Sequence, residues 1–169
     1  MLVGVLSDTH DSLENIRRAL KVFSEAGVSA IIHLGDIISP FALKLIAESS
    51  KTPVEAVFGN NDGERIGLSK VALAYNVNIG DPPRVVTIAG RRILLAHGFG
   101  DPTLTYDVVR ALAESRRWDA VLYGHTHEPR VEYVRGTLLL NPGDCSGYLN
   151  KPTVALLDLK VMRARLVEL

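Results

Sequence analysis

The first 75 residues alternate between two hydrophobic periods, and few architectures accept that alternation. "LVGVL" (Leu2–Leu6) is short and apolar throughout, as a strand covered on both faces must be. "DSLENIRRALKVFSEAG" then sets Leu13, Ile16, Leu20 and Phe23 along one face of a helix. Asp11 or Ser12 is available to cap its start, and Gly27 to close its end. "AIIHL" is a second apolar strand, followed by the helix "SPFALKLIAES" with Ser39 at N-cap and Pro40 in the first turn. "VEAVF" is a third strand, and a third helix is expected from Glu64 to Tyr75. Strand–helix alternation of this kind specifies a parallel sheet with right-handed crossovers.

The second half changes character. "RVVTIAGRRILLAH" has the pattern of a hairpin turning at Ala89-Gly90, and "RVEYVRGTLLLN" of another turning at Arg135-Gly136. Between them lie a helix with Asp101 as cap and Pro102 at N1 and the short apolar strand "DAVLY". "TVALLDL" and "VMRARLV" complete the strands. So many strands need more than one sheet to find partners, so the expectation is a mixed α/β fold with residues 1–169 as one domain.

Nineteen basic residues balance nineteen acidic ones, so total charge suggests neither stable nucleic-acid binding nor an acidic membrane partner. The pairs Arg91-Arg92 and Arg116-Arg117 read as solvated surface. A single cysteine, Cys145, makes no internal disulfide and rules out a Cys-rich zinc site. The N-terminus lacks the basic flank of a signal peptide, and no apolar run is long enough to span a bilayer. A cytoplasmic protein is expected.

Five of the apolar strands end in the same way. "VGVL" leads into Ser7-Asp8-Thr9-His10, "AIIHL" into Gly35-Asp36, and "EAVF" into Gly59-Asn60-Asn61-Asp62. "ILLA" leads into His97-Gly98, and "AVLY" into Gly124-His125-Thr126-His127. α/β sheets bind ligands beyond the carboxyl ends of their strands. If these strands share a sheet, Asp8, His10, Asp36, Asn60, His97, His125 and His127 converge. Those side chains exceed the needs of one tetrahedral zinc and suit two divalent ions about 3.5–4 Å apart, sharing a carboxylate. Imidazole, carboxylate and amide donors without thiolate favour manganese, iron, nickel, cobalt or zinc.

In this order the residues resemble the calcineurin-like metallophosphoesterases, most closely the small single-domain archaeal and bacterial phosphodiesterases. The motifs run from Asp8 to His127. The resemblance implies a four-layer α/β/β/α sandwich with two mixed sheets flanked by helices. It assigns one metal to Asp8, His10, Asp36 and His127. The other goes to Asp36, Asn60, His97 and His125, with Asp36 bridging and this second set as the catalytic group. Two divalent ions are implied, Mn2+ first, with Ni2+, Co2+, Fe2+ or Zn2+ as alternatives. A homodimer is compatible with the oligomeric habit of small relatives.

The expected reaction is hydrolysis of a small phosphodiester by in-line attack of a metal-bridging hydroxide. Two divalent ions, two aspartates and a hydroxide leave a net charge of about +1, matched to a monoanionic diester. Substrate contacts are expected from Thr9, Asn61, Gly98, Phe99 and Thr126. Many relatives carry a histidine, a substrate contact or general acid, where this chain has Asn61, so substrates with good leaving groups are expected. Asp62 is expected to cap the helix after it, and His33 to be a buried, hydrogen-bonded histidine, since strand alternation points it away from Asp36. A catalytically weak protein-binding scaffold and a nuclease or cyclic-nucleotide phosphodiesterase of the same fold are the alternative readings.

Overall fold

The computed structural model describes residues 1–169. The first half forms β1 (Leu2–Leu6), α1 (Leu13–Ala26), β2 (Ala30–His33), α2 (Pro40–Ser49), β3 (Val54–Val57), α3 (Arg65–Tyr75) and β4 (Asn78–Gly80). The second half begins with β5 (Arg84–Ile88), β6 (Arg91–Leu95), α4 (Pro102–Glu114) and β7 (Ala120–Leu122). It ends with β8 (Arg130–Val134), β9 (Thr137–Asn141), β10 (Thr153–Asp158) and β11 (Arg163–Glu168).

The strands build two mixed sheets, ordered β11-β10-β1-β2-β3-β4 and β5-β6-β7-β9-β8. β1 to β4 are parallel, and β10 and β11 extend that sheet antiparallel from the other side of β1. β6, β7 and β9 form the parallel centre of the second sheet. β4 is too short and too polar to register as an apolar run; its backbone pairing with β3 makes it a strand. Both hairpins turn where the sequence placed them, with φ of 50° and 77° at Ala89-Gly90 and 49° and 90° at Arg135-Gly136. Successive positive φ values match the strand twist.

Period-two alternation explains why the central strands are apolar on both faces. In β1, Val3 and Val5 join the core between the two sheets, while Leu6 points to the helical side. In β2, Ile32 faces the other sheet and Ile31 the helices. The second sheet repeats the rule, with Ile93 and Leu95 inward and Leu94 under α4. Three stacked cores give four layers, α/β/β/α, as expected.

Three helix starts depart from the sequence reading. Ser12 and Ser39 occupy the N-caps of α1 and α2 but make no side-chain cap bond. Asp11 Oδ1 instead accepts from the backbone N–H (3.0 Å) and the hydroxyl (2.7 Å) of Ser39, tying the start of α1 to the start of α2. α3 is capped by Glu64, whose carboxylate accepts from Gly67 N. The expected ends at Gly27 (φ 68°) and Asp101 are observed.

Gly4 lies directly beneath the Phe23 ring, and a Cβ there would stand 2.7–2.8 Å from three ring carbons. Gly4→Ala should therefore lower unfolding stability by about 1–3 kcal/mol through overpacking. Chemical denaturation measures this, and an unchanged midpoint would contradict the packing described.

Candidate metal centre

The five strand ends come together, but not on one sheet. β1, β2 and β3 deliver Asp8, His10, Asp36 and Asn60 from the first sheet. β6 and β7 deliver His97, His125 and His127 from the second. The centre therefore sits at one end of the sandwich, where the seam between the sheets opens. Hydrogen bonds across the seam hold it. His97 Nδ1 reaches the Leu34 carbonyl at 2.7 Å, and His125 N donates to an Asp8 carboxylate oxygen at 3.1 Å.

The loops carry unusual backbone conformations. Asp8, His10, Asp36, His125 and His127 all have positive φ, between 40° and 67°. Left-handed non-glycine residues of this kind cost about 1–3 kcal/mol each and cluster where geometry serves function. Close approach adds a second demand. A Cβ at Gly59 would collide with Asp36 Oδ1, and one at Gly98 with the His125 ring.

Donor atoms of Asp8, His10 and His127 lie within 4.8 Å of one another, as do those of Asp8, Asp36 and His97. Asp36 faces both sides: Oδ2 is 3.5 Å from His10 Nε2, and Oδ1 is 3.4 Å from His97 Nε2. Asn60 Oδ1 lies 2.9 Å from His97 Nε2 and 2.7 Å from His125 Nδ1. All seven expected donors thus share one centre.

The protonation pattern fits a cation. His97 Nδ1 donates to a carbonyl, as does His125 Nε2, to Gly100 at 2.6 Å. His127 Nδ1 lies 3.0 Å from Asp144 Oδ2. In each ring the nitrogen facing the centre is left with its lone pair, which is how outer partners set the tautomer of metal-binding histidines. His10 Nε2 is buried with no hydrogen-bond partner. Lone pairs of His97, His125 and Asn60 therefore point at one another, an arrangement that a positive ion relieves.

The charges tell the same story. Burial raises Asp8 above the usual carboxylate range. Burial also disfavours ionised Asp36, but the His97 ring and two N–H donors of Asn61 outweigh it and hold Asp36 well below that range. His97 loses from burial and gains more from Asp36 and Asp8, so its pKa is raised. The two buried aspartates thus favour positive charge at the His97 side of the centre.

The neighbouring residues fall into two groups. Asn61 donates from N (2.8 Å) and Nδ2 (2.7 Å) to the two oxygens of Asp36 and lines an adjoining cavity. Gly98 lines a second cavity on the His97 and His125 side. Thr9, Phe99 and Thr126 do not line either. Thr9 is fully buried, its hydroxyl between His33 Nε2 and the Asp36 carbonyl. Phe99 packs with the α4 core, and Thr126 Oγ1 accepts from Asn141 Nδ2 within its turn.

Asp62 is a correction of another kind. It caps no helix but collects three backbone N–H groups: Gly59 at 2.6 Å, Ile38 at 2.7 Å and Asp36 at 3.1 Å. It thereby fastens the β2 loop to the β3 loop. His33 is buried as expected; Gly35 N donates to its Nδ1, and burial lowers its pKa to about 3. Cys145 is buried and burial pushes its thiol pKa up, as for an inert core thiol.

Asp144 escaped the sequence reading. It is fully buried, pairs with His127, and accepts from Leu149 N (2.8 Å), Ser146 Oγ (2.5 Å) and Gly147 N (3.1 Å). Burial disfavours its charge, but the His127 ring and the Leu149 and Ser146 donors outweigh burial and hold Asp144 well below the usual carboxylate range; the Asp144 carboxylate in turn raises His127. In the sequence it is one acid in a glycine-rich loop, and nothing in its spacing links it to His127.

Residues 1–162 match the calcineurin-like phosphoesterase superfamily domain. A phosphodiesterase of Methanocaldococcus jannaschii is 39% identical over 94% of this chain and 93% of its own length. A phosphodiesterase of Escherichia coli K12 is 30% identical over 83% of this chain and 77% of its own length. The solved structure of an archaeal phosphodiesterase superposes over 100% of both chains with a TM-score of 0.89 and 37% identity.

Asp144→Asn keeps the shape but removes the charge behind His127. Its Mn2+ affinity should fall by ~10–100-fold, the usual cost of losing an outer partner. Titration calorimetry checks this, and wild-type affinity would contradict the role.

Proposed function

Because the chain belongs to the calcineurin-like phosphoesterase superfamily, we propose that it is a metal-dependent phosphodiesterase that hydrolyses small phosphodiesters. The observation that carries the reading is the double-sided approach to Asp36, with histidine nitrogens 3.5 Å and 3.4 Å from its two oxygens. On this reading Asp8, His10, Asp36 and His127 hold one divalent ion. Asp36, Asn60, His97 and His125 hold the other. Two such ions, when bound, supply Lewis acidity, an activated water nucleophile and charge to offset the developing transition state. Mn2+ is the metal proposed first.

The chain's own residues then set the terms of catalysis. Carbonyl partners orient the His97 and His125 rings, and the Asp144 carboxylate stands 3.0 Å behind His127 Nδ1, so the donors are positioned before an ion arrives. Asn61 keeps Asp36 in place and has no proton to give a leaving group. Reactivity should therefore favour esters whose alcohol departs as a stable anion. One net positive charge on the ion-loaded centre suits a monoanionic diester better than a dianionic monoester. A cytoplasmic location and a homodimer are part of the proposal. No helix is long and apolar enough to cross a membrane.

A metal-by-substrate activity matrix tests the reading. Chromogenic diesters should be hydrolysed in Mn2+ faster than the matching monoesters. Activity should be lost with chelator, and with Asp36→Asn by more than the ~100-fold that outer partners cost. With chemistry rate-limiting, rates should fall steeply as leaving-group pKa rises. Failure to hydrolyse any diester, with no metal uptake, would favour the scaffold reading.

A further inference from the structure

The cavity beside His10 and His127 is about 320 Å³ and is completed by Asn61, Tyr148 and Leu149. Tyr148 is 80% exposed and Leu149 70% exposed. Single exposed apolar residues are ordinary on a protein surface. These two differ in place and support. They share a cavity with two of the proposed metal ligands, and the Tyr148 ring centroid lies 6.4 Å from that of His10.

The loop that carries them is braced. Leu149 N donates to Asp144 Oδ2 (2.8 Å), Tyr148 N to Ser146 Oγ (3.2 Å), and Asn150 Nδ2 to the His127 carbonyl (3.0 Å). The same Asp144 carboxylate lies 3.0 Å from the His127 ring. The lip and the ligand are thus positioned by one buried group. A rigid aromatic face with two rotatable side-chain angles loses little entropy on binding.

Charge narrows what fits. The cavity wall contains no lysine or arginine. On the opposite side of the centre the cavity contains Arg65, but its Nη1 is 2.5 Å from Asp81 Oδ1 and its guanidinium lies 4.7 Å over the Phe58 ring. Neither side offers an unpaired cation to a second phosphate.

We propose that Tyr148 and Leu149 form a subsite for a neutral, planar aromatic arm of the diester, so that the preferred substrates are aryl or nucleobase-bearing diesters without further phosphates. This rests on the phosphodiesterase reading and adds a specificity residue to it. Stacking on Tyr148 fixes the aromatic arm, and Leu149 covers its edge.

Binding and turnover test the two levels separately. Phosphinates carry the single negative charge of a diester but have no ester bond to cleave. On the Mn2+-loaded protein, benzyl(methyl)phosphinate should bind ~10-fold tighter than dimethylphosphinate, in the range of one stacked ring. Tyr148→Ala should erase the difference and Tyr148→Phe should keep it. Tyr133→Ala, an exposed tyrosine on β8, should leave it intact. An adenine-bearing phosphinate separates the two sources of the arm: tighter binding than benzyl assigns a nucleobase, weaker binding a simple aryl group. Equal or undetectable affinities in the wild type, or a preference that survives Tyr148→Ala, overturns the subsite. Aromatic preference without turnover of any diester supports the subsite and overturns the phosphodiesterase reading alone.

Discussion

The Asp36 carboxylate is the point on which the site depends. It is almost fully buried, yet the groups around it keep it charged. Asn61 donates to both of its oxygens, and histidines approach it from either side. A buried carboxylate without such partners would take up a proton instead. Its backbone, at φ 56°, is held by the carboxylate of Asp62. Charge and strain thus meet at one residue, and each is stabilised by a neighbour on the β3 loop.

The sandwich makes that concentration affordable. Cores on both faces of each sheet anchor the strands, so short loops at one end can adopt conformations that a freer chain would abandon. Opening the seam between two sheets also solves a geometric problem. One sheet presents its strand ends in a row, whereas two facing sheets surround a point. His97 and His125 come from across the seam to meet Asn60. His125 and His127, one residue apart, accordingly face different partners, Asn60 and Asp8.

Much of this was legible in the residues. Apolar runs in β1, β2, β3, β6 and β7 announced strands covered on both faces, and the polar residues after them announced the donors. The resemblance supplied the four layers and the order of the donors. What stayed hidden depended on distance through space. Asp144 lies 17 residues beyond His127, past a whole hairpin, and no pattern in the sequence links the two. Asp62 looked like a local cap because its partners Asp36 and Ile38 lie far back in sequence. Thr9 looked like a pocket residue because it sits between two expected ligands, but its side chain turns inward to His33. β4 carried no hydrophobic pattern and exists through its backbone bonds. Pattern reading finds what a residue is for when its neighbours in sequence are its neighbours in space; elsewhere the fold decides.

On the proposed reading Asp36 joins two cation sites into one. Metal titration of the chelator-treated protein, followed by elemental analysis, should then find two Mn2+ per chain, and a loss of affinity at both sites in Asp36→Asn. A single ion per chain, or a second ion whose affinity is untouched by Asp36→Asn, would contradict it.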